Sequence, residues 1–217
     1  MISSQIGSLD KIFSGGLQNG MITEISGLRG TGKTQLALQF GIQPLSENKN
    51  ILFIDTTVEF RPERFLQMIQ SRNLPSTLLE NLHISHVTNT QKQIEILERF
   101  QDDDFSLIII DNITDLFSFE YSKKEQLSIR HHEFMNYMHA LSQLAINKKI
   151  PVILTNQLMQ ANNIEYEKMH YSISNFTHQK IKLEKIKNHY QGTVFSPHSQ
   201  KTHFFYKIEK MGLVKRS

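Results

Sequence analysis

Gly27-Leu28-Arg29-Gly30-Thr31-Gly32-Lys33-Thr34 matches the spacing G-x-x-x-x-G-K-[ST] without a break. The strand-like stretch Met21-Ile22-Thr23-Glu24-Ile25 precedes it, and the helical pattern Gln35-Leu36-Ala37-Leu38-Gln39-Phe40 follows. Glycines let the backbone turn sharply and aim its N–H groups inward, while the helix start adds a partial positive charge. Strand, loop and helix together make a cradle for nucleotide phosphates. In it Lys33 reaches the terminal phosphates and the Thr34 hydroxyl holds Mg²⁺. Gly27, Leu28, Arg29, Gly30, Thr31, Gly32, Lys33 and Thr34 are therefore the candidate contacts, and ATP with Mg²⁺ the expected cofactor.

Outward from this loop the pattern alternates. Ile51-Leu52-Phe53-Ile54-Asp55 reads as a strand, 62–72 as a helix opened by Pro62, and 82–87 as a short strand. Residues 90–101 carry Ile94, Leu97 and Phe100 at helical spacing. Leu107-Ile108-Ile109-Ile110 reads as a strand buried on both faces, as parallel strands are. A long amphipathic helix over about 126–147 and a strand at 151–155 follow. Residues 180–187 and 203–208 are strand-like, predicted as a hairpin joined by a polar loop containing Gly192 and Pro197. Strand–helix alternation with a terminal hairpin predicts an α/β fold: a doubly wound, mostly parallel sheet with a C-terminal antiparallel hairpin. The 217 residues suit a single domain spanning 1–217.

A P-loop protein needs a second carboxylate facing Mg²⁺. Asp111 closes the strand 107–110 and meets that need, usually through metal-bound water. At the next strand end stands Thr155-Asn156-Gln157, whose neutral amide could hydrogen-bond a γ-phosphate.

Composition narrows the class. No apolar run approaches the roughly 20 residues of a membrane span, and Met1-Ile2-Ser3-Ser4-Gln5 carries no secretory pattern. Cysteine is absent, which excludes disulfides and thiolate metal sites and fits a cytoplasmic protein. The ten histidines form no ligand pattern, His131 and His132 being adjacent, so no structural metal is expected. Asp102-Asp103-Asp104 reads as a solvated turn before a strand. Net charge is +3, unevenly spread: residues 1–150 hold 14 Lys/Arg against 17 Asp/Glu, and residues 151–217 hold 10 against 4. The basic end is either polyanion-facing or a solvated strand face.

Taken together the motifs resemble the RecA superfamily, and closely the core of archaeal and eukaryotic strand-exchange recombinases. The matching stretches include Ile6-Gly7-Ser8-Leu9-Asp10, Gly15-Gly16-Leu17, Ile22 to Gly27, Gly32-Lys33-Thr34-Gln35, Ile54-Asp55-Thr56, Phe60-Arg61-Pro62-Glu63-Arg64, Leu127-Ser128-Ile129-Arg130 and Thr155-Asn156-Gln157. With no N-terminal helical domain ahead of the core and a short C-terminal region, the chain looks most like the short RadB-type paralogues. The resemblance implies that Gln35 and Arg64 belong to the nucleotide site, with Arg64 packing on the adenine by cation–π stacking. It implies that Gln157 senses the γ-phosphate. It also implies DNA-binding loops at 117–130, with Lys123, Lys124 and Arg130, and at 158–178, with Lys168. In the second loop Tyr166, His170, Tyr171 and Phe176 either stack on bases of single-stranded DNA or pack the loop onto the domain.

Two departures bear on mechanism. The family's catalytic glutamate position is Thr57 here, and threonine cannot act as a carboxylate base. Glu59, two residues on and on the same side of an extended segment, is the candidate substitute. Phe195 stands where the family has an acidic residue ahead of Ser196-Pro197, in a cap over the neighbouring subunit's ATP. The expected function is thus an ATP-binding repair and recombination protein that binds DNA and hydrolyses ATP weakly or not at all. It would act alone or with a full-length recombinase rather than as an autonomous filament. The alternative is an ATP-dependent switch with a protein partner.

Overall fold

The computed structural model describes residues 1–100, 103–162, 164–196 and 199–216. In chain order they form α1 (Gly7–Ile12), β1 (Ile22–Gly27), α2 (Lys33–Ser46), β2 (Asn50–Asp55), α3 (Pro62–Gln70), β3 (Leu82–His86), α4 (Thr90–Arg99) and β4 (Phe105–Asp111). These are followed by α5 (Asp115–Glu120), α6 (Leu127–Lys148), β5 (Val152–Ala161), β6 (Ile164–Glu167), α7 (His170–Ser174), β7 (Gln179–Ile186), β8 (His189–Ser196), β9 (Ser199–Glu209) and β10 (Gly212–Lys215).

Hydrogen-bonded neighbours run β10-β9-β8-β7-β1-β5-β4-β2-β3, with β6 paired to β5 alone. The six strands from β7 to β3 are parallel along this path, and the remaining pairs are antiparallel. The central strands are apolar on both sides because each side has its own core. Ile25, Phe53, Ile109 and Ile153 face a cluster with Leu36, Phe40 and Phe65 of α2 and α3. Ile22, Ile54, Ile110 and Leu154 face another with Phe134, Tyr137, Met138 and Leu141 of α6. That is the doubly wound, mostly parallel α/β fold that the alternation predicts.

The C-terminal addition differs from the hairpin expected. β7 adds to the core parallel to β1, and β8, β9 and β10 continue as an antiparallel meander. The stretch read as a polar loop is the strand β8. Its Gly192 is there for packing: a Cβ would stand 2.1 Å from the Phe204 ring of β9. A glycine that makes room for an aromatic in the opposite strand mimics a turn signal in sequence. Pro197 lies outside the described residues.

β5 also runs further than expected. Thr155-Asn156-Gln157 are not its end: β5 crosses the sheet edge and continues to Ala161, where it pairs with β6. Asp103 and Asp104 precede β4, and Asp102 lies outside the described residues. No helix among the described residues is long and apolar enough to cross a membrane.

Candidate phosphate site at the sheet edge

Gly27 ends β1, and the loop that follows folds back onto itself before α2 begins at Lys33. The Thr31 hydroxyl donates to Leu28 O at 2.8 Å, and the Lys33 ammonium donates to the same carbonyl at 3.1 Å. Gly32, immediately before α2, has φ +94°, a left-handed conformation that favours glycine. Its far side is close-packed, since a Cβ would stand 3.1 Å from Leu213 and 3.3 Å from Ile208. The helix therefore opens with uncapped N–H groups and an ammonium close by, an arrangement suited to a bound oxyanion. Burial lowers the Lys33 ammonium below its ordinary range, while Asp111 and Asp115 oppose that shift.

Asp111 sits at the tip of β4, buried and beside this loop. Thr34 donates its hydroxyl to the two carboxylate oxygens at 3.0 and 2.9 Å, and Thr155 donates to one of them at 2.5 Å. Burial raises the Asp111 carboxyl above the usual range. The Thr155 and Thr34 hydroxyls oppose the rise, neighbouring Asp55 adds to it, and Lys33 opposes it. A buried carboxylate flanked by a second carboxylate and by hydroxyls suits a hard divalent cation, whose charge would favour the ionised form. Thr34 and Asp111, both expected at the magnesium ion, are thus brought into direct contact.

The cleft between them is about 290 Å³ and is lined by Arg29, Gly30, Gly32, Lys33, Thr34, Gln35, Thr57, Glu59, Arg64, Asp111 and Gln157. Gln157 reaches it because its register partner on β1 is Gly27. Arg64 of α3 lies at the rim. Its guanidinium donates to Gln35 Oε1 at 2.7 Å, to Glu209 O at 2.5 Å and to Lys210 O at 2.9 Å, and also to Gln67. Gln35 and Arg64 therefore join the cleft to the β9–β10 turn.

The segment carrying Thr57 and Glu59 is a tight turn rather than the extended run expected. The Asp55 carboxylate organises it, accepting from the Thr57 N–H and hydroxyl, the Val58 N–H (each 2.9 Å) and the Phe60 N–H at 3.0 Å. Burial opposes ionisation of Asp55. The Phe60 and Thr57 donors and nearby His86 prevail and hold its carboxyl below the usual range. Val58 takes φ +57°, so residues 57 and 59 do not share an extended face. The Thr57 hydroxyl is committed to Asp55. Glu59 stands on the rim, 68% exposed, in an ion pair with Arg29 at 3.6 Å.

Of the first stretch assigned to DNA, residues 117–130 form α5, a short 3-10 turn and the start of α6. Lys123 and Lys124 are exposed and Arg130 is half-buried. Of the second stretch, residues 158–178, the described residues form the end of β5, β6 and α7, and residue 163 lies outside the described residues. Lys168, in the turn after β6, is paired with Asp115 at 3.2 Å. The four rings differ in exposure. Tyr171 is 85% exposed and Tyr166 half exposed, whereas Phe176 packs against the α6 core and His170 pairs with Glu167 at 2.6 Å. On β8, Phe195 lies under the Lys201 ammonium, 5.3 Å from its ring centroid.

Four residues of this neighbourhood escape the motif reading. Thr155 supports Asp111 and Asp55 shapes the turn over residues 57–60. Asn156 donates to buried Glu24 at 3.0 Å, and Tyr206 donates its hydroxyl to Thr31 O at 2.7 Å. The first three sit in or beside motifs already quoted. Tyr206 has no such signal.

A P-loop at the edge of a doubly wound sheet, facing a strand-tip aspartate, with antiparallel strands appended at the C-terminus, defines the RecA-like cores. Comparison with known proteins narrows this class. The Rad51 family model matches residues 1–176. The DNA repair and recombination protein RadA of Metallosphaera sedula is 34% identical over 171 residues, covering 73% of this chain and 53% of that protein. The RadA of Aeropyrum pernix is 31% identical over 170 residues, with the same coverage. The chain spans about half the length of these curated relatives. It belongs to the Rad51 family.

Proposed function

We propose that this chain binds ATP with Mg²⁺, binds single-stranded DNA in repair and recombination, and turns ATP over slowly or not at all, as a RadB-like paralogue or mediator of a full-length recombinase. ATP with Mg²⁺ is the cofactor of RecA-like recombinases, and the residues here fit it. Lys33 and the N–H groups at the start of α2 would hold the phosphates, Thr34 and Asp111 the magnesium ion, and Gln157 would face the terminal phosphate. Arg64 would flank the base. Bound magnesium would neutralise phosphate charge and steady the triphosphate.

One observation carries the reading of weak turnover. The position where the family places its catalytic glutamate is Thr57, whose hydroxyl is held by Asp55, and the nearest substitute, Glu59, stands exposed on the rim. Loss of a positioned base lowers rate by about 10²–10⁴-fold, whereas binding rests on groups that are present.

The test is made on one preparation: ATP affinity, phosphate release with and without single-stranded DNA, and DNA anisotropy across a salt series. Tight ATP binding, slow release and DNA affinity that falls steeply with salt are expected. Rapid release abolished by Glu59→Gln would overturn the weak-turnover reading. ATP binding with no DNA affinity at low salt would favour the switch with a protein partner.

A further inference from the structure

Tyr206 lies on β9, 175 positions from the loop it touches. Its side chain is fully buried, and its hydroxyl donates to Thr31 O at 2.7 Å, beneath the phosphate loop rather than in the cleft. Burial, with smaller contributions from Tyr190 and Glu184, raises the phenol far above its ordinary range, so it remains a donor. A trans peptide points its C=O and its N–H in opposite directions. Thr31 O belongs to the same peptide as the Gly32 N–H. Holding that oxygen from behind therefore aims the Gly32 N–H toward the side where Lys33 and Thr34 lie. Other meander side chains crowd the same residue, since a Cβ on Gly32 would stand 3.3 Å from Ile208 of β9 and 3.1 Å from Leu213 of β10. Gln39 of α2 accepts from the Leu213 N–H at 2.8 Å and donates to Leu213 O at 3.0 Å.

We propose that Tyr206 is a positioning residue for phosphate binding: the C-terminal meander, which lies beyond the Rad51 match, sets the loop's donor geometry through the Thr31–Gly32 peptide. This rests on the nucleotide reading above. The residue touches no ligand and acts through the loop, so its removal should weaken phosphate contacts and leave the base contacts alone.

The test is Tyr206→Phe, which removes one oxygen without opening a cavity. Displacement of a fluorescent ATP analogue by ATP, ADP and adenosine is read beside apo melting. Affinity for ATP and ADP should fall about tenfold, the effect of one lost hydrogen bond, with adenosine unchanged. Tyr190→Phe, whose ring packs 5.3 Å from Tyr206, should leave all three unchanged. Equal ATP affinity in wild type and Tyr206→Phe overturns the proposal, as does an equal loss for adenosine or an equal loss in Tyr190→Phe. If Tyr206→Phe melts before titration, Ile208→Val trims the packing on Gly32 and must give a smaller loss with the same dependence on phosphate. Wild type that binds no ATP overturns the nucleotide reading itself, a result distinct from the others.

Discussion

At the scale of single residues, Asp111 and Thr57 hold the most consequence. Asp111 is a buried carboxyl raised above its ordinary range, with Thr34 and Thr155 donating to it. A carboxyl raised on folding stabilises below its unfolded value, and that contribution is lost as pH climbs through the folded value. At neutral pH, Asp111→Asn should therefore raise the melting temperature of the nucleotide-free protein, by about 2–4 °C per 1 kcal/mol gained. The same change should abolish the magnesium dependence of ATP affinity, read by titration with and without EDTA. A lower apo melting temperature at pH 7.5 would contradict the assignment of strain to this carboxyl. Thr57 invites the reverse experiment. Thr57→Glu restores a carboxylate at the family's position, and phosphate release should rise at least about tenfold, a fraction of what a positioned base supplies. An unchanged rate with unchanged ATP affinity would mean that the Asp55-bound turn cannot present that side chain.

Elements set where such residues meet, and the pairing of β1 with β7 is the most exposed to test. Glu24 and Lys180 are direct register partners. Glu24 is fully buried, with its carboxylate 3.3 Å from the Lys180 ammonium, which also meets Glu167. Burial raises the Glu24 carboxyl, and Lys180 is the main opposing influence. Lys180→Met leaves that carboxyl without its counter-ion, with only the Asn156 amide donating to it, at a cost of about 3–5 kcal/mol. Thermal melts at pH 7.5 should record the deficit. It should shrink toward pH 5 as Glu24 protonates, because a raised carboxyl stabilises on the acid side. A deficit constant across that range would assign it to packing instead. The elements also mark how far patterning could be read. β2, β4 and α6 were legible because a long apolar run or a 3.6-residue stripe reports burial directly. β8 was not, since Gly192 answers to the Phe204 ring rather than to a turn. The extension of β5 past the sheet edge was hidden as well: Leu158 to Ala161 take their pairing from β6, whose own sequence is short and mostly polar.

The whole molecule carries its charge unevenly. The 4 acidic residues after position 150 face 10 basic ones, but Lys168, Lys180 and Lys182 are held in ion pairs. Exposed Lys185, Lys187, Lys201, Lys207, Lys210, Lys215 and Arg216 remain on β7 and the meander. If single-stranded DNA lies along α5, α6 and α7 instead, a combined Lys123→Ala, Lys124→Ala, Arg130→Ala variant should weaken binding. It should also flatten the salt slope by about 0.7 for each phosphate no longer neutralised. Lys201→Ala with Lys207→Ala should then leave the slope alone. The opposite pattern would move DNA to the meander. The chain as a string carries the phosphate loop and the order of strands and helices, because each is written in contiguous residues whose spacing has a local physical meaning. Only folding decides the rest. It seats Thr155 on Asp111, leaves Glu59 exposed on the cleft rim after the Asp55-bound turn, and brings Tyr206 beneath Thr31. These contacts join distant or differently turned segments, and no local period encodes which side chains a sheet edge will gather.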